Sequence, residues 1–236
     1  MSNIINEHEG FTQEITREFF RSVYSYMVGA LAVSGVIAYW AGTPEFFQQY
    51  FLSASGGLSP VYYVIIFAPM GLGLLIQMAY KRFSLGALMA LYLLFSVLMG
   101  LSLGSIFLVY SGQSIAITFF VSAGAFAGMA ILGYTTKTDL TKMGSLLYMA
   151  FIGIFIAGIV NMFLKSDMMS FIISVVGVFV FTGLTAYYMQ KLKDMSSDSS
   201  LSGIDRSKLA IVGGLILYIT FINLFMSLLR IMGSRD

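Results

Sequence analysis

Seven uninterrupted apolar stretches decide what this chain can fold into. They cover about 22–43, 60–80, 84–109, 114–134, 145–164, 168–190 and 209–229. Each is close to the roughly 20 residues that a helix needs to cross a hydrocarbon layer. The runs are continuous rather than alternating, and in lipid a helix satisfies its own backbone hydrogen bonds. The chain therefore reads as an all-α integral membrane protein with seven transmembrane helices. Composition agrees. Of the 236 residues, 58% are hydrophobic and 10% charged, against about 45–50% and about 25% in soluble domains. Only the connections 44–59 and 191–208 have length to spare, and both are polar or rich in Gly and Ser. No appended soluble domain and no internal repeat is expected.

Basic residues orient the spans, because Lys and Arg accumulate in cytoplasmic loops. With the N-terminus on side one, that side holds Arg17, Arg21, Lys81, Arg82, Lys137, Lys142, Lys191, Lys193, Arg206 and Lys208. The other side holds Lys165, Arg230 and Arg235, which completes the 13 basic residues. This ten-to-three split predicts a cytoplasmic N-terminus and an external C-terminus. It also favours seven spans over a six-span arrangement with one re-entrant run. The expected organisation is a cytoplasmic tail at 1–21, a membrane domain at 22–229 and a short external tail at 230–236. In the tail, Phe11, Ile15, Phe19 and Val23 fall four apart, while Glu14, Arg17, Glu18 and Arg21 take the other face. That pattern fits a short amphipathic helix on the membrane surface, or a solvated lead-in. The first apolar run is too long for a cleaved signal peptide and is expected to remain as an anchor.

Absences narrow the function. No span carries Asp, Glu, Lys or Arg near its middle, whereas proton pumps and ion-coupled transporters usually keep a buried ionisable group for the ion. HExxH motifs and phosphate-binding glycine loops are missing, so an enzyme is not expected, nor is any cofactor. There is no Cys, and the single histidine, His8, lies in the tail, which leaves no Cys-metal site or disulfide framework. A net charge of +2 without basic runs argues against nucleic acid. The lipid bilayer is the expected partner.

Small and polar residues mark where spans should meet. Gly100 with Gly104, Gly124 with Gly128, and Gly153 with Ala157 have the spacing that lets helix backbones approach closely. Packing inside one bundle is favoured over dimerisation, hence a monomer. Pro69 lies inside the second span and is expected to kink it. The apolar runs also contain Gln77, Asn161, Thr182, Thr185, Tyr187, Tyr188, Gln190, Tyr218, Thr220 and Asn223. Each polar group needs a partner in lipid, and hydrogen bonds between helices are expected to supply most of them. Thr185 and Tyr188 share a helix face, as do Thr220 and Asn223.

The stretches ILGYTTKTDL, TGLTAYYMQKLK and LILYITFINLFMSLLRIMG resemble the Bax inhibitor-1 family, specifically its bacterial branch. The similarity runs from YSYMVGALAVSGVIAYWAG to the C-terminus. The resemblance implies seven helices with the last one central and wrapped by the other six, in the bacterial cytoplasmic (inner) membrane. It also implies a pH-sensitive calcium leak, with calcium as the transported ion. In one bacterial branch it implies regulation of a membrane-bound AAA protease. The family's ion and pH site rests on two aspartates, one after T-A-Y in the span-six block and one before F-I-N-L-F in the span-seven block. The matching positions here are Tyr188 and Thr220. Neighbouring site candidates Thr185, Tyr187, Gln190, Tyr218 and Asn223 match the family pattern. Two close carboxylates in a low dielectric share a proton and act as a pH switch. With both gone, the implied site is neutral, so conduction or pH gating is expected to be altered or lost. The alternative is a non-conducting membrane interaction protein that regulates such a protease.

Overall fold

A computed structural model describes residues 2–53, 57–198 and 201–234, with side chains from Glu14 onward. His8 and Phe11 therefore lie outside the described side chains. Eight α-helices follow in order: α1 (Ser2–Ala41), α2 (Pro44–Phe51), α3 (Pro60–Ala79), α4 (Leu85–Leu103), α5 (Gly112–Thr135), α6 (Thr141–Leu164), α7 (Asp167–Ser196) and α8 (Gly203–Met232). Seven of them, all but α2, are long and apolar enough to cross a membrane. Among the described residues, the β-structure is one isolated bridge between Leu52 and Leu58.

Polar caps set where several helices begin. Thr43, Ser59, Ser84 and Ser111 each accept a hydrogen bond from a backbone N–H three residues on, at 3.2–3.3 Å. Such caps satisfy donors that a helix start leaves open. Pro44 and Pro60 stand at the first position of α2 and α3, where proline lacks nothing the helix needs. Two boundaries differ from the sequence reading. The connection 44–59 is not all loop, because α2 forms within it. The connection 191–208 shrinks, because α7 continues to Ser196 and α8 starts at Gly203. α1 is one helix through the expected tail boundary. Phe19 and Val23 are buried on it, and Glu14, Arg17, Glu18 and Arg21 are exposed. α3 runs through Pro69 as one helix.

The chain divides into two compact units. The first comprises Met1–Val109 with Ser196–Tyr218. Here α1 packs on α4, and α3 on α4 and α2. Gly100 and Gly104 are where α1 comes closest. A Cβ on Gly100 would lie 2.8 Å from both Ile37 Cβ and the Ser34 carbonyl oxygen, and one on Gly104 would lie 3.1 Å from Ala41. The first half of α8 meets α1 in the same way, with Gly214 against Tyr26 and Val23. The second unit comprises Tyr110–Met195 with Ile219–Asp236. There Phe221 of α8 packs edge-on against Phe119 and Phe126 of α5, at 5.4 and 5.6 Å between ring centres. Gly177 of α7 admits Ser227 of α8, and Gly133 of α5 lies directly on the Ala186 backbone of α7. α8 is the most buried span, with 78% of its apolar window inside, against 0–33% for the others.

The expectation that all three small-residue pairs pack inside the bundle holds for Gly100 and Gly104 only. Nothing lies within 4 Å of a Cβ built on Gly124, Gly128 or Gly153. Spacing identifies a groove, but whether a helix fills it depends on which way that face turns. Gly100→Ala is therefore expected to destabilise the protein by about 1–3 kcal/mol through overpacking, while Gly124→Ala should leave it unchanged or slightly more stable. Thermal unfolding of the two variants in detergent checks the contrast.

Candidate functional site

The residues singled out by sequence fall on the second half of α7 and the middle of α8. Thr185 is fully buried, and its hydroxyl donates to the Phe181 carbonyl one turn back at 2.8 Å. Tyr187 lies against Gly144 of α6, where any side chain would overlap the phenol ring. The Lys191 ammonium stands 5.7 Å from that ring's centre. Tyr188 is half-buried, with ring centres 5.3 Å from Tyr187 and 6.5 Å from Tyr148 on α6. Tyr188 is thus one phenol in an aromatic group of three.

Below this group α7 grips the turn between α5 and α6. Gln190 Nε2 donates to the Thr138 carbonyl and its Oε1 accepts from the Leu140 N–H, both at 2.8 Å. Both ends of one amide are used on one turn. Lys193 Nζ donates to the Tyr134 carbonyl at 2.8 Å and sits 4.8 Å above the Tyr134 ring. A cation at the end of α5 also complements the negative pole of that helix. Asp139 Oδ1 accepts from the Thr141 N–H at 2.9 Å, at the start of α6. That bonding by Thr141, aided by Lys142, holds the Asp139 carboxyl below the usual carboxylate value. A depressed carboxyl stabilises the fold above its ordinary value and loses that effect as pH falls through the folded one. This contact is therefore constant near neutral pH and is no switch there. The blocks ILGYTTKTDL and TGLTAYYMQKLK are joined by these bonds. Their contact is not evident from the sequence, where about 50 residues separate them. Gln190, a polar residue at a helix end, was the available signal.

On α8 the candidates separate. Tyr218 belongs to the first unit, where its fully buried hydroxyl donates to Ser34 Oγ at 2.9 Å and its ring meets Phe95 edge-on. Thr220 and Asn223 belong to the second unit. Thr220 is 3% exposed. Asn223 Nδ2 donates to the Ile219 carbonyl of its own helix at 2.8 Å. The polar groups expected to bond between helices divide into two sets. Gln77, Thr182, Thr185 and Asn223 all turn back to the carbonyl four residues earlier. A short polar side chain reaches that carbonyl without a second helix being placed for it. Tyr218 and Asn161 do cross, to Ser34 and to Ser170.

Calcium takes six to eight hard oxygens, usually with carboxylates among them. Among the described residues, no three or more His, Cys, Asp or Glu gather in one place. The arrangement offers hydroxyls, an amide and lysines, and at Tyr188 and Thr220 it holds no formal negative charge near neutral pH.

Gln190→Ala strands the Leu140 N–H and the Thr138 carbonyl, and is expected to cost about 1–2 kcal/mol. It should also speed amide exchange at Leu140. Gln190→Glu keeps the acceptor for Leu140 and should fall between. Tyr218→Phe removes one inter-helix bond, worth about 0.6–2 kcal/mol, without affecting exchange at Leu140. Hydrogen exchange and unfolding in detergent separate these variants.

Similarity to known proteins covers the same architecture. The family described as inhibitor of apoptosis-promoting Bax1 matches residues 16–236. An uncharacterized protein of Borreliella burgdorferi is 41% identical over 221 residues, 94% of each chain. An uncharacterized protein of Caulobacter vibrioides is 43% identical over 226 residues, 93% of this chain and 89% of that one. The inner membrane protein YbhL of Escherichia coli is 39% identical over 219 residues, 92% of each. With a match over nearly the whole length and seven helices fit to span a bilayer, the chain belongs to the Bax inhibitor-1 family of multi-pass membrane proteins.

Proposed function

We propose that the chain is a calcium-leak-type member of this family whose acid gate is absent, so that its flux does not respond to pH. The carrying observation is Tyr188. It stands where the family's first aspartate falls, packed between Tyr187 and Tyr148, with Thr185 bonded inside its own helix. That group holds phenols and a hydroxyl but no carboxylate. Thr220 at the second position is equally neutral. A phenol is also bulkier than a carboxylate, which favours a small leak. The excess of Lys and Arg on the loops of one side supports an N-terminus in the cytoplasm of a bacterial cell and a C-terminus outside.

The test is calcium flux into proteoliposomes between about pH 5 and about pH 8, the range over which a buried carboxylate pair titrates. The chain itself is expected to give a small leak with a flat pH profile. The double variant Tyr188→Asp with Thr220→Asp is expected to gain pH dependence. A full pH-gated leak from the unaltered chain defeats this reading.

A second reading is favoured by the exposed polar face of α1. Glu14, Arg17, Glu18 and Arg21 face outward while Phe19 and Val23 are held inside. That charged strip suits a protein partner, and on this reading the chain is a non-conducting regulator of a membrane-bound AAA protease. Arg17→Glu with Arg21→Glu is expected to weaken co-purification of such a protease without lowering thermal stability. Unchanged co-purification removes the role of this strip.

A further inference from the structure

The short helix α2 is divided into three zones. Glu45, Gln48 and Gln49 form one arc, all exposed. Phe47 and Phe51 turn to α3, meeting Tyr62 at 5.9 and 5.4 Å between ring centres, and Phe51 is 1% exposed. Phe46 and Tyr50 form the third zone. Phe46 lies 4.7 Å from Trp40 at the end of α1 and 4.7 Å from Tyr50. This edge is open, with Trp40 62% and Tyr50 50% exposed.

The surroundings fix its depth. α2 connects the end of one spanning helix, Ala41, to the start of the next, Pro60. The return is tied by backbone bonds from Ser53 to Gly57 and from Ser59 to Phe51, and by Ser59 Oγ to the Tyr50 carbonyl. So α2 is held at the level where α1 and α3 leave the hydrocarbon. Among the described residues, neither the Trp40 indole N–H nor the Tyr50 hydroxyl bonds to protein. Rings with an apolar body and an unused polar tip favour the layer between acyl chains and water.

We infer that Trp40, Phe46 and Tyr50 form a lipid-contact edge, seated among the glycerol and carbonyl groups of phospholipids in the leaflet where α1 ends, with Glu45, Gln48 and Gln49 toward water. The occupant is phospholipid because the edge continues the lipid-facing sides of two spanning helices. A helix lying this way sits about 5–10 Å into the boundary between headgroups and chains. The seat does not depend on whether the protein conducts.

Trp40 is the single tryptophan of the chain, so emission excited at wavelengths where tyrosine does not absorb reports this edge alone. The full chain is placed in phosphatidylethanolamine–phosphatidylglycerol vesicles containing phospholipids brominated either near the carbonyl end or at mid-chain. Aqueous iodide is the third quencher. The expected result is strongest loss of emission with the shallow bromines, weaker loss with the deep ones and little with iodide. Trp40→Phe with Tyr50→Trp moves the reporter along the same edge and should give the same order. Dominant iodide quenching overturns the proposal, because the edge then faces water. Stronger quenching by the deep bromines also overturns it. So does shielding from all three quenchers that is relieved on diluting the protein in lipid, which identifies a second copy as the occupant.

Discussion

Hydrocarbon offers no hydrogen-bond partners, and that constraint shapes both the backbone and the polar side chains of this protein. The backbone answers with helices. The side chains answer by folding back. Ser96, Ser122, Thr185 and Ser227 all donate to the carbonyl four residues before them. A polar group satisfied within its own helix exerts no pull on a neighbour. Helix association therefore falls to shape, through glycine faces such as Gly100 against Ser34 and Ile37, and through a few bonds that do cross, Tyr218 to Ser34 above all.

The same economy explains the character of the candidate site. The polar neighbours of Tyr188 are engaged elsewhere, with Thr185 in its own helix and Gln190 on the turn between α5 and α6. Tyr188 is met by two other phenol rings instead of by charge. The end of α7 acts as a splint for its neighbours. Lys193 contributes to that splint at the Tyr134 carbonyl, although sequence reasoning used it only to orient the span.

Features decided over one helix length were readable in the sequence. The seven spans emerged from hydropathy because a bilayer tests about 20 residues at a time, and the family blocks were recognisable because they too are local. Features decided by distant partners were not. Gly100 and Gly124 look alike in sequence, yet one is filled and the other open. The grip of Gln190 on Leu140 spans 50 residues. α2 is a different failure, because its signals were present. Thr43 followed by Pro44 is a helix start, and Phe46, Phe47, Tyr50 and Phe51 repeat at helical spacing. The Gly and Ser residues downstream drew the whole stretch into a loop.

The burial of α8 bears on how the protein comes into being. Translation delivers this helix after the other seven, yet its first half completes one unit and its second half the other. Until it emerges, Ser34 lacks the Tyr218 phenol and the aromatic edges of Phe119 and Phe126 have no Phe221 to meet. The ribosome thus releases into the bilayer a set of helices with two unfinished interiors, and both close on the arrival of a single segment. Domains made early in synthesis generally fold first. In this chain both interiors stay open until α8, a 30-residue helix made after the other seven, is in place.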